Sequence, residues 1–225
     1  LEKFKEKGAT ITQDNNYAIN KSDIIIICVE PQQIEPLLKN TKNSFHSKQI
    51  VISVVSGVSI NDIAILINNN SIVRAMPNTA IAIADSMTCI ASNNSNAIKV
   101  SEKIFKCVGK ILIIDEEQMI SATALGACGI AFFLRAIRSA TQGGIEIGFS
   151  SEAAFTIAAQ TAKGAASLLQ SSNNHPEAEI DKVTTPRGCT IAGLNEMEHK
   201  GFSSAMIKGI TTSAEIASVL YKQKK

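Results

Sequence analysis

The stretch IIIICVEPQQIEPLL, Ile24 to Leu38, decides the fold. Ile24 to Val29 is a continuous apolar run dominated by β-branched residues. It predicts a strand buried on both faces, as in parallel sheets. Glu30-Pro31 ends the run, and Ile34, Leu37 and Leu38 then fall on one helical face. The same alternation continues downstream. QIVISVV (Gln49 to Val55) is a second strand, ended by Ser56-Gly57. NDIAILIN is a short helix with Asn61 or Asp62 as its expected cap. SIVRAMPN is a strand stopped by Pro77, and MTCIAS is a further strand. Asn96 to Val108 reads as a helix closed by Gly109, and KILIID as the last strand. Strands alternating with helices over short links predict an α/β fold with a parallel, doubly wound sheet.

The strand signal ends near Glu116. Ala-rich helical stretches follow at Gln118 to Gln142, Ser151 to Gln170, Cys189 to Lys200 and Ser203 to about Lys222. Small residues along them allow close axial approach. Two domains are expected: an α/β domain over 1–115 and an all-helical one over 116–225.

Composition sets the outer limits. The chain has 225 residues, 45% hydrophobic and 19% charged, which is enough for a core and argues against disorder. A net charge of +2, with basic residues gathered only at Lys222, Lys224 and Lys225, disfavours nucleic acid. The five cysteines (Cys28, Cys89, Cys107, Cys128, Cys189) show no metal-ligand or disulfide spacing. Buried free thiols in a reducing compartment are the expectation. The longest uncharged stretch, Met119 to Leu134, is short for a membrane span and is expected to be a buried helix. The opening LEKFKEKG reads as an amphipathic helix fragment already under way rather than a secretory leader. A soluble, cytoplasmic protein with no membrane partner is expected.

Three segments are candidates for chemistry. VRAMPNT (Val73 to Thr79) puts Pro and Asn at the C-terminal end of a strand, where open parallel sheets bind ligands. CVEP (Cys28 to Pro31) ends the preceding strand in the same way. DKVTTPRGCTIAGLNEME (Asp181 to Glu198) places Thr184, Thr185, Gly188 and Thr190 just ahead of a helix. Hydroxyls and free N–H groups there suit a carboxylate, although a plain N-cap is the simpler reading of the pattern alone. His46 reads as solvated, and His175-Pro176 as a helix start. No metal cluster is visible in the sequence.

Taken together, the order and wording of these segments resemble the pyrroline-5-carboxylate reductase family. VRAMPNTAIAIADSMT is similar to the family's strand and loop beside the nicotinamide, and DKVTTPRGCTIAGL to its signature. HPEAEIDKV, GGIEIGF and GFSSAMIKGI also match in spacing, so the resemblance runs from Leu1 to about Leu220. It implies reduction of a cyclic imine by NADP(H) or NAD(H). It also implies a Rossmann-like sheet followed by an all-α domain that forms a homodimer or a higher homo-oligomer. By position, Thr190 becomes the catalytic residue beside the ring nitrogen. Thr185, Gly188, Cys189 and Thr190 take the substrate carboxylate, with Glu116 lining the site. Cofactor contacts carry over to Asn15, to Cys28, Val29, Glu30 and Pro31, and to Ala75, Met76 and Pro77.

Four departures accompany the resemblance. The family's opening strand, GxGxxG turn and helix are not seen, as if the chain began roughly 40 residues late. Glu30 stands where the family commonly has Lys. Arg187 replaces a glycine of the signature, so it either strains the turn or offers a guanidinium to the carboxylate. GACGIAF (Gly126 to Phe132) stands for the usual SGSGPAY. The missing turn, Glu30 and Arg187 leave open a non-catalytic dimeric relative. An oxidoreductase with another small substrate is open too, since 6-phosphogluconate dehydrogenase relatives share the two-domain plan.

Overall fold

A computed structural model describes residues 2–69 and 71–219. In chain order the elements begin with α1 (Glu2–Lys5), α2 (Asn15–Asn20), β1 (Ile24–Ile27), α3 (Pro31–Thr41) and β2 (Ile50–Ser53). They continue with α4 (Ile60–Ile67), β3 (Ile72–Met76), β4 (Ser86–Ala91), α5 (Ser95–Lys106) and β5 (Gly109–Ile113). Among the described residues only helices follow: α6 (Met119–Ala122), a π-helical turn (Thr123–Cys128), α7 (Gly129–Glu146), α8 (Ser151–Ser172), α9 (Pro176–Val183), α10 (Cys189–His199) and α11 (Phe202–Ala217). The expected end of the last helix, Lys222, lies outside the described residues.

The five strands lie in sequence order, β1-β2-β3-β4-β5. Alternate residues of each strand feed opposite faces, which is what makes the sheet doubly wound. Val51 and Ile72 join Ile34 and Leu38 of α3 and Ile63 and Ile67 of α4 on one side. Ile50, Ile52, Val73, Ala75 and Ile90 meet Ala97 and Phe105 of α5 on the other. The α/β fold class stands, with one antiparallel pairing inside it: β3 and β4 run against each other. Their connection, Pro77 to Asp85, holds only a short 3₁₀ turn (Thr79–Ile83), too little chain for a parallel crossover.

The structure corrects several local expectations. β1 is not buried on both faces, since Ile24 is 38% and Ile26 49% exposed. Ile25 and Ile27 face the cluster with α3, whereas Ile24 and Ile26, on the other face, are left open among the described residues. The cap of α4 is Ser59, whose hydroxyl accepts from the Asp62 amide, while Asp62 reaches back to the Ser59 N–H. The helix α5 starts after Asn94, whose side chain caps Ala97 N, and it ends before Gly109. Gly109 instead opens β5 at φ +144°, with Ser86 backbone where a Cβ would stand. Of the five thiols only Cys89 is buried, and burial pushes it above the usual thiol range. Cys28, Cys107 and Cys189 are exposed because they lie at a strand end, a helix end and a helix start.

The described residues form two compact units, one up to Cys128 with residues from Thr212 on, the other Gly129–Thr211. In the second, α7 packs on α8 closely enough that a Cβ at Gly144 would lie 3.0 Å from the Ala154 Cβ. Much of its apolar surface is left uncovered: Phe133, Leu134, Phe155, Ile157, Leu168 and Ile207 are all exposed. Helical structure from Glu116 to Glu146 is long and apolar enough, by length and composition, to cross a bilayer. Only 17% of its most apolar window is buried, so Met119 to Leu134 is not the fully buried helix expected.

Candidate active site

The signature segment folds as a turn leading into α10. Gly188 N donates to Thr185 O at 2.9 Å, closing a turn with Pro186 and Arg187 in its middle. Arg187 has φ +60°, the left-handed value that a Pro-X turn of type II demands of its third residue. Proline at the second position fixes the turn, and arginine bears the strain that glycine would avoid. Gly188 is required for a different reason. A Cβ there would lie 2.5 Å from Thr185 Oγ1 and 3.0 Å from Thr185 O.

Gly188 is the N-cap of α10 and makes no side-chain cap hydrogen bond. The plain N-cap suggested by pattern is therefore not what forms. Thr184 Oγ1 instead donates back to Ile180 O and Asp181 O at the end of α9. The first N–H groups of α10 thus stay open, at the positive end of the helix. Among the described residues no hydrogen bond engages the Thr190 hydroxyl. Thr185 and Cys189 are exposed, and Gly188 and Thr190 half-buried. The geometry supplies a row of donors for a small anion, with one free hydroxyl in the first helical turn.

Glu116 lies in the other unit and is already engaged. Its Oε1 accepts from Ile60 N at 2.7 Å, at the start of α4, and from Arg74 Nη1 at 3.3 Å. Arg74 is an arginine side chain within the fully buried strand β3, only 6% exposed. Burial pulls its guanidinium below the usual arginine value, while Glu116 and then Asp62 pull it back. Glu116 Oε2 has no hydrogen bond among the described residues. The sequence marked Glu116 as a site residue and did not mark Arg74, although an arginine inside a buried strand is itself a signal of a paired carboxylate.

The residues expected to contact the nucleotide lie at the carboxyl ends of β1 and β3, with Asn15 at the start of α2. Cys28 is exposed and Val29 half-buried; Glu30 caps α3 and Pro31 opens it. Gln32 hydrogen-bonds the Glu30 carboxylate, and Glu30 N donates to Gln33 Oε1 at 3.2 Å. Ala75 and Met76 are buried in the core, so only their backbone could face a ligand, whereas Pro77 is half-exposed. Asn15, Cys28 and Val29 share an open groove of about 390 Å³ along β1, whose other walls include Ile24, Ile26, Leu37 and Phe45. A dinucleotide fits these strand ends on one further count. The Ser56 hydroxyl, buried just beyond β2, has no hydrogen-bond partner among the described residues. Among the described residues, no group of three or more His, Cys, Asp or Glu gathers as a metal site.

Residues 116–220 match the family described as pyrroline-5-carboxylate reductase dimerisation. A relative from Dictyostelium discoideum, pyrroline-5-carboxylate reductase 2, is 51% identical over 95% of this chain and 77% of its own length. The chain belongs to the pyrroline-5-carboxylate reductase family. Pyrroline-5-carboxylate reductase 1 of the same organism is 56% identical over the whole chain, which spans 43% of that relative's length. Residues 1–57 match a second family, described as NADP oxidoreductase, coenzyme F420-dependent. Among solved structures, the Plasmodium falciparum pyrroline carboxylate reductase with NADP bound superposes with a TM-score of 0.87 at 27% identity. That match covers 93% of this chain and 81% of the other.

Proposed function

We propose that this chain reduces 1-pyrroline-5-carboxylate to L-proline. The observation that carries the reading is the start of α10: open N–H groups, no side-chain cap and an unengaged Thr190 hydroxyl, in a chain of this family. The N–H groups of Cys189 and Thr190 bind the substrate carboxylate and fix the ring, with Thr185 and Gly188, whose own N–H closes the turn, beside them. NADPH or NADH, when bound, supplies a hydride to the imine carbon. Thr190 Oγ1 donates a hydrogen bond to the ring nitrogen, which takes up a proton from solvent as the C=N double bond becomes single. Glu116 lines the site through Oε2, its Oε1 being committed to Ile60 N and Arg74. The nucleotide is held by Asn15, by Cys28, Val29, Glu30 and Pro31, and by Ala75, Met76 and Pro77, the buried pair acting through backbone.

The functional division follows residue 116. Residues 1–115 serve the dinucleotide, and 116–225 serve the substrate and the subunit contact. The uncovered apolar side chains of α7, α8 and α11 pair with a second copy, giving a homodimer or a larger ring of the same chain. The same pairing accounts for the exposed apolar face of the Glu116–Glu146 helix without a membrane, in the cytoplasm. The test is turnover of pyrroline-5-carboxylate with NADPH by the full-length protein and its Thr190→Ala variant. A loss of about 10²-fold or more in kcat is expected if Thr190 acts on developing charge. Unchanged turnover removes Thr190 from the mechanism, and an inactive parent enzyme removes the reaction.

A further inference from the structure

We propose that Asn78 is a positioning residue for the reduction, tying the strand end that faces the cofactor to the π-helical turn Thr123–Cys128. The proposal rests on the reading that Ala75, Met76 and Pro77 meet the nicotinamide. Asn78 follows them directly and is held at three points. Its backbone N–H donates to Ser86 Oγ at 3.1 Å, and its Oδ1 accepts from Ala80 N at 3.0 Å. Its Nδ2 donates to Gly126 O at 3.2 Å. The first contact fixes the backbone and the second the side-chain amide, because the Ala80 N–H requires oxygen on its side. Nitrogen must therefore face Gly126, whose carbonyl can only accept.

The partner is an unusual piece of backbone. A π-helical turn is wider than an α turn and is seen mostly as an isolated bulge, frequently at functional sites. It persists where contacts hold it, and here two tertiary contacts and one local bond do so. Ala127 packs on the cluster of Met76, Ala91 and Met119. Thr123 Oγ1 donates to Met119 O at 2.8 Å, and Asn78 takes the Gly126 carbonyl. Gly126 itself weakens the helix by about 1 kcal/mol relative to alanine. No atom lies within 4 Å of where its Cβ would stand, so crowding does not require the glycine. The turn is intrinsically pliable and has been pinned, by a side chain whose own backbone adjoins the cofactor-facing residues. Releasing the pin leaves both segments folded but no longer held in register.

Three variants of the full-length protein test this. Asn78→Asp keeps an oxygen to cap Ala80 N and replaces the Nδ2 donor by an acceptor. Asn78→Ser keeps a shorter cap and cannot reach Gly126, and Asn78→Ala loses both contacts. If Asn78 serves only as a cap, Asp performs as well as the parent. If the tether matters, all three lose at least tenfold in kcat, with the subunit assembly of the parent. Amide hydrogen exchange over Ala124 to Gly129 then quickens by tenfold or more in each variant that folds. Parental kcat in Asn78→Asp or Asn78→Ser overturns the proposal. Should the parent prove inactive on pyrroline-5-carboxylate, the reaction assigned above fails instead. Exchange alone then decides, and unchanged protection in Asn78→Asp overturns the tether.

Discussion

Removing the Glu116 carboxylate should destabilise the α/β unit by about 3 kcal/mol. The reasoning starts from Arg74, whose side chain is 7% exposed and whose Nη1 lies 3.3 Å from Glu116 Oε1. Leaving one member of a buried ion pair unmatched costs about 3–5 kcal/mol. Two facts place Glu116→Ala toward the lower end. The Glu116 side chain is 28% exposed, so water already screens the pair, and Asp62 remains as a second anion for the guanidinium. Against this, Ile60 N at the start of α4 also loses its 2.7 Å acceptor, worth about 1 kcal/mol. Glu116→Gln keeps an oxygen for Ile60 N and should recover about that amount. Urea unfolding of the parent, Glu116→Ala, Arg74→Met and the double variant gives the coupling directly, with about 1–2 kcal/mol expected. A coupling within about 0.3 kcal/mol of zero would show that the carboxylate and the guanidinium act independently. The pair would then not hold Glu116 at the site.

Arg187→Gly should raise stability by about 0.5–1 kcal/mol, because relief of the left-handed strain exceeds glycine's extra unfolded-state entropy; a lowered urea midpoint refutes this. A weaker affinity of the same variant for proline in a binding titration would show that the guanidinium grips the carboxylate as well. Glu179 is held below the usual carboxylate range, first by its hydrogen bond from Lys182, then by Asn174 and by Ser172. A carboxylate whose folded pKa is depressed stabilises the fold above its unfolded pKa and loses that contribution as pH falls through the folded one. The stability gap between the parent and Glu179→Gln should therefore be full near pH 6 and narrow below about pH 4. A gap that is constant with pH would refute it.

What was legible in the sequence divides along one physical line: contacts made within a few residues could be read, and contacts made by the sheet could not. The strands and their alternation with helices along the chain came from apolar runs and turn residues, which act locally. The segment Thr185–Thr190 stood out for the same reason, since Pro186 and Gly188 favour a turn ahead of the helix locally, against the strain at Arg187. Even there the pattern left the N-cap undecided, and only the diversion of Thr184 to the end of α9 settles that α10 starts open. The exposure of Ile24 and Ile26 depends on which neighbour β1 lacks, and no periodicity records a neighbour. Arg74 and Glu116 are 42 residues apart, and Asn78 and Gly126 are 48 apart. Both pairs start on or just after β3 and end on the chain that leaves β5, so both exist only because β4 returns antiparallel beside β3. The short Pro77 to Asp85 connection that forces this reversal is thus what brings the Glu116 carboxylate and the π turn to the carboxyl end of β3. The sequence marked Glu116 through family resemblance alone. Its partner Arg74 and the neighbouring tether from Asn78 follow from the sheet's one antiparallel step.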